Sequence, residues 1–207
     1  EFGYAVLAKR LREVAFLMGK VGVRIHLREE TTGREDEYWY PNGLEDFIRF
    51  LNANKEPIHP KILTIDAEVP DSHGSPVQIE CALQYNDGYR EDVYCFVNNI
   101  NTTEGGTHLS GFRSGLTRVL NNFAKKESLL KPNEVAPAGE DFREGLAAVI
   151  SVKLAEPQFE SQTKIKLGNR EVEGLVASVI NDKLGAILEE NPATGRAILN
   201  KALLAAR

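Results

Sequence analysis

The stretch Val77-Gln78-Ile79-Glu80-Cys81-Ala82-Leu83-Gln84-Tyr85, then Asn86-Asp87-Gly88, then Val93-Tyr94-Cys95-Phe96-Val97, decides the fold. Val77, Ile79, Cys81, Leu83 and Tyr85 recur at every second position, the period of a strand with one buried face. Val93, Cys95 and Val97 do the same after the turn. Asn-Asp-Gly between two alternating runs is a hairpin signal, so the sequence predicts two neighbouring antiparallel strands. In that register Cys81 stands nearly opposite Cys95 on one face. Two small buried apolar residues fit that placement better than a redox pair.

Working outward, Ile62 to Glu68 is a further strand, and Leu146 to Leu154, rich in Val and Ile, is another. Between the strands, Leu109, Phe112, Leu116, Val119, Leu120 and Phe123 recur at three and four residues, predicting a helix from about Thr107 to Leu129. Pro132 to Pro137 reads as a loop, Glu140 to Glu144 as a short helix and Phe159 to Asn169 as a polar loop. The remaining residues are helical, with a break at Asn191-Pro192. Upstream, Leu7, Leu11, Val14 and Leu17 or Met18 mark a helix that Gly19 and Gly22 end. Val21, Val23, Ile25 and Leu27 alternate as a half-buried strand; Thr31-Thr32-Gly33 turns it, and Glu37 to Tyr40 returns. Leu44, Phe47, Ile48 and Leu51 mark a second helix. Asn52, Asn54, Pro57 and Pro60 are breakers, so Asn52 to Pro60 reads as a linker with a boundary near residue 56.

The composition is that of an ordinary globular chain. Its 207 residues hold 25 basic and 30 acidic side chains, for a net charge of −5. That balance excludes a generally basic nucleic-acid binder, although net charge is an average and binding is local. No run approaches the ~18 apolar residues of a membrane helix. Two cysteines make no disulfide framework, and nothing resembles a signal peptide, which implies a reducing, cytoplasmic setting.

Phosphate-loop, dinucleotide, zinc-hydrolase and nucleophile-elbow motifs are absent, and the four histidines have no metal-ligand spacing. Three features carry charge or small residues in suggestive places. His108 to Lys131 holds Arg113, Arg118, Lys125, Lys126 and Lys131 against Glu127 alone, so 5 − 1 gives +4. Arg118 and Lys125 lie opposite the apolar stripe and Arg113 at its border. Such a face can track phosphates, and it can equally be a solvated helix surface. Ser161-Gln162-Thr163-Lys164 puts a lysine on a loop, either a point charge for a phosphate or a plain surface turn. Gly105-Gly106-Thr107 precedes a helix, as an anion site or as an ordinary cap with Thr107 supplying the oxygen.

Several of these runs resemble a known family. Gln84-Tyr85-Asn86-Asp87-Gly88, Tyr94-Cys95-Phe96-Val97-Asn98-Asn99-Ile100, Glu104-Gly105-Gly106-Thr107-His108-Leu109 with Gly111-Phe112-Arg113, Asp141-Phe142-Arg143-Glu144-Gly145-Leu146 and Pro157-Gln158-Phe159-Glu160-Ser161-Gln162-Thr163-Lys164 resemble, in order and spacing, the B subunits of bacterial type IIA DNA topoisomerases. Leu7-Ala8-Lys9-Arg10-Leu11-Arg12-Glu13 and Pro57-Ile58-His59-Pro60 match as well, so the resemblance spans the chain. Met18 departs from it, standing where the family usually has Asn.

The resemblance implies an α+β fold. Residues 1–56 would be the C-terminal part of a GHKL ATP-binding domain, an α/β remnant. Residues 57–207 would be a transducer domain, ribosomal-protein-like, with a four-stranded mixed sheet, helices on one face and a left-handed β-α-β crossover. Gln162, Thr163 and Lys164 match a loop that reaches the γ-phosphate of ATP. Lys164 would stabilise charge on the transferring phosphoryl group and relay hydrolysis to strand passage. Arg113 matches a residue lining the cavity for the transported double-stranded DNA. Arg118 and Lys125 are candidates from the helical wheel alone. ATP and Mg2+ are implied for the parent protein, with most of their ligands upstream of Glu1, so the isolated chain is expected to be a monomer inactive towards ATP. The partner implied is the topoisomerase A subunit, in an A2B2 heterotetramer. Two other classes share parts of this pattern: a stand-alone nucleic-acid-binding module, and another GHKL ATPase such as a mismatch-repair protein or a chaperone. The Gln-Thr-Lys loop weighs against the first and the Glu104 to Leu109 run against the second.

Overall fold

The computed structural model describes residues 3–207. Its first part runs α1 (Tyr4–Leu17), β1 (Arg24–Arg28), β2 (Glu35–Trp39) and α2 (Leu44–Leu51). β1 and β2 pair antiparallel with Ile25 opposite Tyr38, and every second residue of β1 is sheltered, as the alternation requires. α2 buries Leu44, Phe47 and Ile48, one stripe of its wheel.

The second part holds β3 (Leu63–Pro70), β4 (Pro76–Tyr85), β5 (Asp92–Val97), β6 (Ile100–Asn101), α3 (Thr107–Lys126), β7 (Leu146–Lys153), α4 (Arg170–Glu190) and α5 (Pro192–Ala205). Its strands form one mixed sheet in the order β3-β4-β7-β5-β6. β7 is antiparallel to β4 and parallel to β5. The class is α+β, as expected, but the sheet has five strands rather than four. The fifth, β6, is two residues long and is returned by a two-residue turn at Asn98-Asn99, both at positive φ.

The expected hairpin is also corrected. β4 and β5 do not pair, because β7 lies between them. Cys81 and Cys95 each stand beside Ile150 rather than beside each other. The reason is the composition of β7. Every residue from Leu146 to Val152 is buried. A strand with no polar face needs a neighbour on each edge and a layer on each side. Asn86-Asp87-Gly88 therefore makes a wide reversal across the end of β7. The Asn86 amide donates to the Gly145 carbonyl at 2.8 Å and the Asp87 amide to the Glu56 carbonyl at 2.9 Å.

Helices α3, α4 and α5 cover one face of the sheet, with Phe112, Leu116, Val176, Ile180 and Leu199 packed over Leu83 and Ile150. α3 and α4 approach closely because Gly111 and Gly115 have no side chain. A Cβ at Gly111 would lie 2.4 Å from the Glu173 carbonyl oxygen, and one at Gly115 2.9 Å from that of Ala177. The opposite face is not bare, as a layout with helices on one side implies. Ala82, Phe96 and Val149 face Phe16 of α1 and Phe47 and Ile48 of α2. Phe16 stacks on Phe47 at 4.6 Å between ring centroids. The first part of the chain is the lid of the second part's sheet.

The segment read as a linker is held by a buried polar network. Asn52, His59, Gln84 and Asn86 are all buried. The Asn52 amide donates to Gln84 Oε1 and the Asn86 amide to Asn52 Oδ1, each at 3.0 Å. The Gln84 amide donates to the His59 carbonyl at 2.9 Å. His59 Nε2 accepts from the Tyr85 amide at 3.0 Å, so Nδ1 carries the proton and donates to the Lys61 carbonyl at 2.8 Å. Burial holds the His59 pKa below its ordinary value. Among the described residues, no helix is long and apolar enough to cross a membrane.

Candidate functional site

Gln162, Thr163 and Lys164 sit together at the tip of the loop between β7 and α4, and all three are exposed. The neck of the loop is tied at several points. Phe159 and Leu167 pair antiparallel, the Glu160 amide donates to the Lys166 carbonyl at 3.0 Å, and the Gly168 amide to the Gln158 carbonyl at 2.7 Å. Asn169 fastens the base from its side chain, donating to the Glu156 carbonyl at 3.2 Å and accepting from the Gln158 amide. At the tip the Lys164 amide donates to the Ser161 carbonyl at 3.3 Å. Lys164 takes a φ of 58°. A left-handed lysine is costly for an L residue, and such positions gather at functional turns. Among the described residues Glu160 is paired with Lys166 at 3.0 Å, and Lys164 forms no ion pair.

This loop docks on the segment before α3. The Glu104 amide donates to the Ile165 carbonyl at 2.9 Å, the Leu167 amide to the Gly105 carbonyl at 3.1 Å and the Thr107 amide to the Leu167 carbonyl at 3.1 Å. Gly106 is the reason the two backbones can meet: it has φ 133°, and a Cβ there would lie 2.4 Å from the Leu167 carbonyl oxygen. Thr107 does not cap α3, contrary to the sequence reading. Gly106 is the N-cap and no side chain caps the helix. The Thr107 hydroxyl is buried without a partner among the described residues. Strand-like pairing to Leu167 takes the first donor of α3.

Beneath the docking segment lies a sealed polar cluster. Thr102 is 1% exposed and His108 not at all. The Thr102 hydroxyl donates to the Cys95 carbonyl at 2.8 Å. Its only proton is thereby used, so it accepts from His108 Nε2 at 2.9 Å. Among the described residues His108 Nδ1 has no partner, and burial pushes the His108 pKa down to about 4. The imidazole is neutral, since a proton on Nδ1 would bury a second N–H with nothing to accept it.

The basic residues of α3 separate into two kinds. Arg118 and Lys125 are exposed, as the wheel predicts. Arg113 is not a free cation: it reaches Glu91 at 3.0 Å, and Arg143 reaches the same carboxylate oxygen at 3.1 Å. Lys126 is likewise paired, with Glu189 at 2.9 Å. The loop at residues 162–164 and the cations of α3 do not touch each other. They are joined through the Gly105–Leu167 docking at the head of α3.

The family model for DNA gyrase B matches residues 43–207. The chain belongs to the DNA gyrase B family. The gyrase B protein of Clostridium acetobutylicum is 48% identical over 207 residues, covering all of this chain and 32% of that protein. The gyrase B protein of Myxococcus xanthus is 48% identical over 201 residues, covering 97% of this chain and 24% of that protein. The chain thus spans 24% to 32% of the length of these gyrase B relatives. Among solved structures, the 43K ATPase domain of Thermus thermophilus gyrase B, in complex with an aminocoumarin, superposes with a TM-score of 0.84 at 37% identity, covering all of this chain and 54% of that one. Within this gyrase B segment, sequence reasoning finds the loop and the cations but misses the Glu91 bridge, the Thr102–His108 pair and the network at Asn52. Each lies inside a run quoted above or beside one. The Glu91 and Asn52 partners are distant in sequence, and the Thr102–His108 pair is closed across a chain reversal, neither of which a local pattern discloses.

Proposed function

We propose that this chain is the part of a type II DNA topoisomerase that senses the γ-phosphate of ATP and passes its state to the DNA-facing helix. In this reading residues 1–56 end the ATP-binding domain and residues 57–207 form the transducer. The supporting observation is the placement of the loop at residues 162–164. It presents on a tied neck a lysine that forms no ion pair among the described residues, and that neck is bonded to the head of the helix that carries Arg113, Arg118 and Lys125.

In ATP hydrolysis a water oxygen bonds to the γ-phosphorus while the bond to the β,γ-bridging oxygen breaks, giving ADP and inorganic phosphate. Negative charge grows on the γ-oxygens and on the leaving oxygen. An ammonium held at that place stabilises the transition state more than the ground state, and Lys164 is the candidate. Gln162 would orient the same phosphate by its amide, and Thr163, paired with Ser161 through their hydroxyls, would fix the turn. The proton of the water leaves to a base outside this chain. No cluster of three metal-ligating side chains exists among the described residues, so the Mg2+ implied by the resemblance finds no cage here and no step passes through it.

When phosphate leaves, Lys164 loses its anchor and the loop is free to shift against the body that held it. The α3 cations would meet double-stranded DNA through its phosphates, without reading sequence. The A subunit would complete the machine. In the full-length protein, Lys164→Ala is expected to lower ATP turnover by about 10²-fold, the effect of one charge-stabilising donor. Turnover equal to wild type overturns the role of the loop.

A further inference from the structure

We infer that Thr102 and His108 are positioning residues that set the place of Lys164 from behind the Gly105-Gly106 segment. The inference rests on the loop reading above and goes beyond it. A loop tip exposed to solvent holds a lysine in one place only if its neck is fixed to something rigid. Here the neck is bonded to Glu104, Gly105 and Thr107. Those residues are bonded in turn to the sheet. The Gly105 amide donates to the Thr102 carbonyl at 2.9 Å, and the Thr102 amide to the Cys95 carbonyl at 3.0 Å. The Thr102 hydroxyl adds the side-chain link, to Cys95 of β5 on one side and to His108 in the first turn of α3 on the other.

Thr102 is therefore the point where β5, the docking segment and α3 are pinned to one another, one step behind the residues that hold the Lys164 loop. The cluster is almost wholly buried, and its cost is visible in His108 Nδ1 and the Thr107 hydroxyl, which have no partner among the described residues. Buried polar atoms without partners oppose folding, so an apolar cluster would be more stable. What the polar cluster adds is direction: a hydroxyl bonded to a strand carbonyl on one side and to a helix imidazole on the other constrains how strand, segment and helix meet. The route also runs the other way. A pull on Lys164 by phosphate reaches the first turn of α3, and with it Arg113 and Arg118, through Leu167, Thr107 and His108.

The test uses the full-length protein assembled with its A subunit and measures ATP hydrolysis against ATP concentration. Thr102→Val keeps the shape and removes the hydroxyl; Thr102→Ser keeps the hydroxyl. The inference expects Thr102→Val to lower kcat about tenfold with KM within twofold of wild type, and Thr102→Ser to stay within twofold of wild type in both. It expects Thr102→Val to add nothing to Lys164→Ala, since a lysine that is gone cannot be misplaced. Wild-type kcat in Thr102→Val overturns the inference. So does an equal loss in Val and Ser, which would place the role in packing, or a loss carried by KM. Should Thr102→Val fail to fold, His108→Gln, which retains a donor near the Nε2 position, is compared with His108→Leu; equal kcat in those two overturns it. Lys164→Ala run alongside separates the two claims. If it retains turnover, the loop reading fails and this inference with it; if it loses turnover while Thr102→Val does not, only this inference fails.

Discussion

At the scale of single residues, neighbours decide what a charge can do. Arg113 stands out by its motif as a DNA contact, yet it shares the Glu91 carboxylate with Arg143. One anion between two cations leaves the group with a net positive charge and a fixed orientation, so on the proposed reading Arg113 would be a preformed rather than a floating phosphate contact. In the full-length enzyme, Arg113→Ala is expected to lower the number of supercoils made per ATP consumed; an unchanged ratio excludes the contact. The two buried histidines make a second residue-scale prediction. Burial lowers both pKa values, that of His108 from 6.5 to about 4. Between those limits the unfolded chain binds protons that the folded chain refuses, so stability rises with pH and is lost on acidification. His108 alone accounts for about 2 kcal/mol of loss between pH 7.5 and pH 5, and His59 acts in the same direction. Urea unfolding of this chain at the two pH values checks it. His108→Gln is expected to flatten the slope, and a wild-type slope in that variant excludes His108 as its source.

At the scale of elements, the α3–α4 contact is set by glycine. Gly115 leaves 2.9 Å between a built Cβ and Ile180 Cβ, whereas Gly185 on α4 has nothing within 4 Å. The same substitution therefore has opposite signs. Gly115→Ala is expected to destabilise the chain by about 1–3 kcal/mol through overpacking. Gly185→Ala is expected to stabilise it by up to about 1 kcal/mol, from helix propensity and a stiffer unfolded chain. Thermal unfolding of the pair checks both, and equal effects exclude the packing argument. The helices themselves are legible in the sequence because their stripes recur at three and four residues over many turns. The strands are legible one by one, but their order is not. The turn at Asn86 to Gly88 has the residues of a tight hairpin, and nothing local states that a third strand will enter it. The run of β7, apolar from Leu146 to Val152 but for the buried Ser151, holds the missing signal, since a strand buried on both faces belongs in the middle of a sheet. The candidate site divides in the same way. Its exposed residues announce themselves as motifs, while the sheltered groups behind them are bonded across 6 to 52 positions in sequence, as Thr102–His108 and Arg143–Glu91 show.

At the scale of the whole molecule, the boundary read near residue 56 divides patterns but not packing. Phe16, Leu44, Phe47 and Ile48 from the first part bury Ile62, Ala82, Phe96 and Val149 of the second. Asn52 and His59 are bonded into the end of β4 from the segment between. A hinge needs a place where few contacts cross, and residues 52–60 are the reverse. Motion driven by nucleotide is then expected at the Lys164 loop and its docking segment, with α2 and the sheet moving as one body. Two measurements follow from that. The 207-residue chain is expected to unfold in a single transition when the fluorescence of Trp39, its one tryptophan, and far-ultraviolet dichroism are followed together. The first reports the first part and the second the whole chain. A chain of residues 57–207 loses its cover over Phe96 and Val149, so it is expected to bind a hydrophobic dye and to melt well below the full chain. Hydrophobic burial of about 25 cal/mol per Å2 makes four uncovered apolar side chains worth several kcal/mol. If residues 57–207 melt within a few degrees of the full chain, the two parts do not depend on each other, and the linker is a hinge after all.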